Sequence, residues 1–143
     1  MRWLALDVGS RRVGVAVCDA QERVATALDA FAFTGPERVA EEVASLVHTW
    51  EAEGVVVGVP RTRSGQGPGE RRVSAVVAAL RTRLTVAIEV ADEWGTTAAA
   101  EGLLAEAGVP QRRWRELADS LAARIILEGF LAVRGRGDGG ASR

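Results

Sequence analysis

Short apolar runs separated by turn residues open the chain and predict three β-strands, at residues 3–7, 12–18 and 24–33. The connections between these runs are too short to hold a crossover helix. Because strands joined by short connections pair antiparallel, we expect the three strands to form an antiparallel meander.

Apolar residues then recur at helical spacing, which predicts helices that alternate with strands. A helix begins at Pro36 and ends at Gly54, and the apolar run at 55–59 is typical of a strand covered on both faces. After a Gly- and Pro-rich loop, the pattern predicts a helix at 70–83, a strand at 85–90, a short helix at 98–107 and a last helix at 114–133. This order predicts an α/β fold with a five-stranded mixed sheet, whose first three strands are antiparallel and last two parallel, with helices on both faces.

The length of 143 residues fits one domain, at residues 1–134, followed by a flexible Gly- and Arg-rich tail at 135–143. The one cysteine, Cys18, excludes an internal disulfide and is typical of a core residue in a reducing compartment. No membrane span and no signal-peptide pattern are present, so we expect a cytoplasmic protein without a membrane partner. The formal charge of −1 indicates that any nucleic acid would be held by local basic patches or by metal ions.

Three acidic residues that are far apart in sequence occupy positions that an α/β fold brings to one edge of its sheet. Asp7 ends the first strand, Glu93 follows the fifth, and Asp119 lies on the stripe of the last helix that should face the sheet. A carboxylate against apolar surface is costly unless it has a partner, and Mg²⁺ and Mn²⁺ prefer such oxygen ligands. We therefore predict that these acids are catalytic residues that bind two divalent ions, with Asp7 bridging the pair.

Other interpretations of these acids stay open. Asp92 competes with Glu93, because successive residues of a strand face opposite sides and only one of the two can point into the site. Each acid could also cap an element or pair with an arginine. Asp19 is predicted to shape the turn after the second strand, and the single histidine, His48, is expected to have no role.

Arginines cluster near the acids in sequence and are candidate contacts to a nucleic-acid backbone. A pair lies directly after Asp7, a second cluster flanks the Gly-rich loop, and a third precedes the last helix. Trp94 either stacks on a base or sugar or packs within the fold. The predicted nucleic-acid contacts are Arg11, Arg12, Arg61, Arg63, Arg71, Arg72, Trp94, Arg112 and Arg113.

Four ordered segments resemble the YqgF (RuvX) family of bacterial resolvases and pre-16S rRNA nucleases, within the ribonuclease-H-like superfamily. They lie at residues 4–17, 56–60, 92–97 and 118–123 and span nearly the whole chain. The resemblance implies a ribonuclease-H-like fold and an acidic site of Asp7, Glu93 and Asp119. The chain departs from the family pattern at Trp94-Gly95, where an Arg and a Leu are usual, so the phosphate contact of that Arg is in doubt.

The resemblance also implies an activity, the hydrolysis of phosphodiester bonds by a metal-dependent endonuclease. The expected substrate is structured RNA, with processing of the 5′ end of pre-16S rRNA in ribosome biogenesis; branched DNA, as in a Holliday junction, is the close alternative. A non-catalytic protein that docks on pre-ribosomal particles is a third hypothesis. An ATPase that shares the Asp7-x-Gly9 hairpin would need a second lobe, for which 143 residues leave no room. Monomer and homodimer both remain open.

Overall fold

The computed structural model describes residues 1–60, 66–93 and 96–141, apart from the side chains at 93, 96–97, 115–116 and 136–141. None of the helices in this part of the chain is both long and apolar enough to cross a membrane. The elements in chain order are β1 (Trp3–Val8), β2 (Arg12–Cys18), β3 (Ala25–Ala32), α1 (Pro36–Trp50), β4 (Gly54–Pro60), α2 (Pro68–Arg83), β5 (Ala87–Glu93), α3 (Thr96–Glu106), a 3₁₀ turn (Gln111–Arg113) and α4 (Trp114–Ala141).

The five strands form one mixed sheet in the order β3-β2-β1-β4-β5. The β1–β2 and β2–β3 pairs are antiparallel, whereas the β1–β4 and β4–β5 pairs are parallel. Both the predicted meander and the predicted mixed sheet are therefore confirmed. Because β1, β4 and β5 run in the same direction, their carboxyl ends lie at one edge of the sheet, where Asp7 and Glu93 are found.

Helices cover both faces of the sheet, and the side chains of each strand alternate between two cores. On one face, α1 and α2 pack on Leu and Val side chains that include Leu6, Val15 and Val57. On the other face, α4 packs on a second core that includes Trp3, Ala5 and Ala16.

The backbone of α4 approaches the sheet closely at Gly14, in the middle of β2. A Cβ atom added there would lie 1.9 Å from the backbone carbonyl oxygen of Asp119. The next residue, Ser120, donates a hydrogen bond of 2.5 Å from its hydroxyl to the carbonyl of Leu28 in β3. The helix therefore contacts the backbone of β2, where no side chain intervenes, and is hydrogen-bonded to β3 through a buried hydroxyl.

The apolar side chains of α4 are divided between two clusters. Helical spacing in the sequence predicts a core-facing side of Leu117, Leu121, Ile125 and Leu131. The first three are half-buried in the cluster that α4 forms with α3, and Leu131 packs against the core between α4 and the sheet. The residues of α4 that are buried on the sheet side include Ala123 and Leu127. Both small and large apolar side chains of α4 are therefore buried on the sheet, and the close contact with the backbone of β2 is confined to the region of Gly14.

Several element ends also differ from the prediction: β1 ends at Val8 instead of 7, α1 ends at Trp50 instead of 54, α2 begins at Pro68 instead of 70, and β5 begins at Ala87 instead of 85. β5 continues through Glu93 instead of ending at 90, since its ladder with β4 extends to Pro60. α4 continues to Ala141 instead of ending near 133. Arg134 attaches this part of α4 to the rest of the fold. Its Nε donates a hydrogen bond to Glu22 Oε1 at 2.9 Å, and its guanidinium lies 5.3 Å from the ring centroid of Trp3. The flexibility of residues 135–143 stays a prediction.

The contact at Gly14 generates a stability prediction. Gly14→Ala should lower the free energy of unfolding by about 1–3 kcal/mol or more, because the new methyl group meets a backbone carbonyl that cannot rotate away. Gly129→Ala in α4 is the matched control, since an added Cβ there meets nothing within 4 Å and should raise helix stability by about 1 kcal/mol. Urea unfolding of both variants measures the difference. Equal stability of Gly14→Ala and the parent protein would contradict the close approach of α4.

Candidate active site

Asp7 and Asp119 are brought together across Gly14. Asp7 lies directly opposite Gly14 in the β1–β2 ladder, and the backbone of Asp119 rests on Gly14 from above. Asp7 alternates along β1 with Trp3 and Ala5, which belong to the core on the α4 face, so it lies on that same face. Gly14 is the feature of the sequence that could have predicted this contact, because it leaves space between Asp7 and Asp119.

Arg12 lies beside this pair of acids. Its Nε is 4.0 Å from Asp119 Oδ2, and the two side chains are 37% and 31% exposed. Burial raises the pKa of the Asp119 carboxyl above its ordinary value, and the positive charge of Arg12 offsets part of this increase. The ionised carboxylate is therefore stabilised only in part by the protein, which is the property expected of a residue that binds a cation.

The register of β5 decides how Asp92 is placed. Asp92 pairs with Val59, whose side chain lies in the core under α1 and α2, so Asp92 is on the face opposite Asp119. This removes Asp92 as a competitor for a place beside Asp119. Glu93 is the next residue and pairs with Pro60 at the end of the ladder, but its side chain lies outside the described part of the structure.

The three-acid site therefore stays a prediction. Among the side chains that the structure describes, no three His, Cys, Asp or Glu residues meet closely enough to hold a metal ion. Glu93, the predicted third ligand, is not among those side chains. The described geometry accordingly concerns two of the three predicted ligands, Asp7 and Asp119.

The predicted arginine contacts are spread around this edge of the protein. Arg12 is the one for which a contact with a predicted acid is described. Arg11 is exposed in the β1–β2 turn, and Arg112 and Arg113 are exposed in the 3₁₀ turn before α4. In the first turns of α2, Arg71 is exposed and Arg72 is half-buried. Arg61, Arg63 and Trp94 lie outside the described residues. A role in binding nucleic acid stays a prediction for every residue of this set.

Two predictions about residues outside the site are confirmed, the turn at Asp19 and the burial of Cys18, while the absence of a role for His48 stays a prediction. Asp19 Oδ1 accepts hydrogen bonds from the backbone N–H groups of Arg23 and Val24, at 2.7 and 2.9 Å, and these bonds lower the pKa of its carboxyl. Asp19 therefore shapes the turn after β2. Cys18 is buried and His48 is exposed.

Comparison with known sequences identifies relatives over almost the whole chain. The sequence model of a family described as "RuvX: Holliday junction resolvase" matches residues 1–133. A protein of Desulforudis audaxviator named "Putative pre-16S rRNA nuclease" is 39% identical over 138 residues, which cover 96% of this chain and 98% of the relative. A relative of the same name from Chloroflexus aggregans is 39% identical over 132 residues, with 92% of this chain and 93% of the relative covered.

Solved structures with the same fold include Holliday junction resolvases. Thermus thermophilus RuvC in complex with a Holliday junction substrate superposes with a TM-score of 0.58 and 18% identity, covering 94% of this chain and 95% of that one. The fowlpox virus resolvase, in complex with junction DNA, has a TM-score of 0.58 and 9% identity, covering 93% of this chain and 98% of that one. At such low identity the likeness concerns the fold, and it confirms the predicted ribonuclease-H-like class.

The pKa of Asp119 generates a prediction about the metal-free protein. Because the folded-state pKa is raised, the ionised carboxylate destabilises the folded state near pH 7, and Asp119→Asn should raise the free energy of unfolding there. This gain should disappear below about pH 3, where the carboxyl is protonated in both the folded and the unfolded chain. Urea unfolding in EDTA across this pH range measures the effect.

The control for this prediction removes an exposed carboxylate. Glu101→Gln in α3 changes the net charge by the same amount as Asp119→Asn but lies on the surface, so it should show no such pH-dependent gain. A gain for Asp119→Asn that stays constant from neutral to acidic pH would contradict the raised pKa.

Proposed function

This chain belongs to the RuvX family, and on that premise we propose that it is a metal-dependent endonuclease that hydrolyses phosphodiester bonds in structured RNA. The observation that carries the proposal is the meeting of Asp7 and Asp119 across Gly14, at the sheet edge where three parallel strands end. The names of relatives 39% identical to the chain support a more specific role, the processing of the 5′ end of pre-16S rRNA during ribosome biogenesis in the cytoplasm.

The donor atoms at this edge fit a divalent metal ion. Asp7, Asp119 and the proposed third ligand Glu93 supply the hard carboxylate oxygens that Mg²⁺ and Mn²⁺ prefer. Asp119 also has a raised pKa, as expected for a carboxylate whose charge is only partly compensated. When bound, two such ions would supply an activated water and stabilise the leaving oxygen.

The protein groups have separate tasks in this proposal. Asp7 and Glu93 belong to strands in the middle and at the edge of the sheet, and Asp119 belongs to a helix whose backbone lies against Gly14; rigid elements of this kind suit a site that needs fixed ligands. Arg12 contributes a positive charge beside Asp119 and contacts the phosphate that is to be cut. The remaining predicted arginines contact the nucleic-acid backbone farther along the strand from the bond that is cut. Because the net charge of the chain is −1, this attraction comes from local basic patches.

Two other functions remain as competitors. Branched DNA is the alternative substrate for the same chemistry, and the fold shared with junction-bound RuvC over 94% of the chain favours it. A protein that binds pre-ribosomal RNA without cutting it is the alternative from another class, because a fold can be kept when activity is lost.

The proposed ligands generate an activity prediction. Asp7→Asn and Glu93→Gln should each reduce Mn²⁺-dependent cleavage of a 5′-extended 16S rRNA fragment by more than about 100-fold, since even the outer partners of metal ligands cost 10- to 100-fold. Asp92→Asn is the matched control, because it removes a charge next to Glu93 but lies on the opposite face of the sheet. Circular dichroism verifies that each variant is folded. Loss of activity in Asp92→Asn but not in Glu93→Gln would refute the proposed ligand set.

A comparison of substrates separates the competing functions. Under one set of conditions, the parent protein should cleave the precursor RNA faster than a four-way DNA junction of similar length. A preference for the junction would instead identify branched DNA as the substrate. Binding of the RNA with no cleavage in either Mg²⁺ or Mn²⁺ would favour the non-catalytic protein.

A further inference from the structure

A groove of about 710 Å³ lies next to Asp119, on the side away from Asp7. It is bounded by β3 on one side and by α3 and α4 on the other. Leu104, Leu117 and Leu121 form its apolar wall, and Asp29 and Arg12 contribute the charged groups. This volume and this mixture of apolar surface with a few polar groups are typical of sites that bind small organic groups.

A β-bulge shapes the groove. Val13 pairs with Phe31 and Val15 pairs with Leu28, so two residues of β3 lie opposite the single residue Gly14. One of the two is Asp29, an exposed residue that lines the groove. Bulges re-aim side chains and are common beside active sites. This bulge is level with the acidic site, because Gly14 also lies opposite Asp7.

The groove and the acidic site are continuous. Arg12 lines the groove and also approaches Asp119 to 4.0 Å. Ser120 lines the groove as well, and its hydrogen bond to Leu28 fixes the distance between the two walls. A nucleic-acid strand with a phosphate at Asp119 would therefore have an adjacent base within reach of the groove.

We propose that this groove binds a nucleobase with an exocyclic amino group, from the nucleotide next to the bond presented to Asp7 and Asp119. The leucine side chains contact the face of the ring, and the carboxylate of Asp29 accepts a hydrogen bond from the amino group. Arg12 contacts the phosphate attached to the same nucleotide. The inference rests on the proposed function, which brings the strand to this edge.

The shape and charge of the groove favour a base over other occupants. A phosphate in the groove would be repelled by the Asp29 carboxylate, whereas an amino group is attracted to it. A peptide could add to the outer edge of β3, which pairs only with β2 in the part of the chain that the structure describes. The bulge at Asp29 interrupts the regular ladder that such a peptide would need.

Binding of mononucleotides to the metal-free protein tests the inference. CMP and UMP form a matched pair, because cytosine has an amino group where uracil has a carbonyl oxygen. In NMR titrations with EDTA present, CMP should shift the methyl signals of Leu117 and Leu121 and the amide signal of Asp29, and should bind about 5- to 10-fold more tightly than UMP.

Substitution of Asp29 tests whether its carboxylate is the group that recognises the base. Asp29→Asn should abolish the preference for CMP, because an amide can donate to the uracil carbonyl as well as accept from the cytosine amino group. Glu37→Gln is the control, since it removes one exposed carboxylate from α1 on the opposite face of the sheet and should leave the preference unchanged.

Several results would overturn the inference. These are equal binding of CMP and UMP, shifts that lie outside the groove, and an unchanged preference in Asp29→Asn. Shifts of the groove signals that depend on protein concentration without nucleotide would assign the groove to contact between two copies of the chain. The titration measures binding alone, so its result is independent of the cleavage assay. A preference for CMP in a protein that does not cleave would support base binding and refute the nuclease. Cleavage by a protein that does not prefer CMP would support the nuclease and refute base binding.

Discussion

The contact between the backbone of α4 and Gly14 of β2 is the constraint on which the rest of this face depends. Since no side chain separates the two, the backbone carbonyl of Asp119 lies against the strand, and a side chain at position 14 would push the helix away. The same contact sets Asp119 beside Asp7, which lies opposite Gly14 in the next strand. A single glycine thus determines both how the helix packs and where the acids meet.

The charge of Asp119 is only partly compensated within the protein, which is consistent with the proposed cation site. Asp119 is partly buried, and Arg12 compensates its charge from 4.0 Å rather than at hydrogen-bond distance. A closer pair would stabilise the metal-free protein but would compete with a metal ion for the carboxylate. The observed geometry leaves the carboxylate available, and the cost to stability is moderated because both side chains remain partly exposed.

Much of the fold follows from local patterns, and the errors have one physical origin. The meander, the parallel crossovers and the positions of Asp7 and Asp119 were predictable, because strand alternation, helical spacing and short turns are properties of neighbouring residues. The end of β5 was missed because it depends on pairing with β4, a strand distant in sequence. Helical spacing also could not divide the apolar residues of α4 between two partners: Leu117 and Leu121 pack against α3 and line a groove, whereas Leu127 is buried on the sheet.

The sequence by itself determined the order of the elements, the family and the presence of an acid near the carboxyl end of both the first and the fifth strand. Only the tertiary structure decided that Asp92 lies on the face opposite Asp119, that Gly14 is the contact with α4, and that a bulge places Asp29 beside the same site. The reason is physical: strand register and helix-to-sheet distance arise from contacts between residues far apart in the chain, and a shift of one residue moves a side chain to the other face.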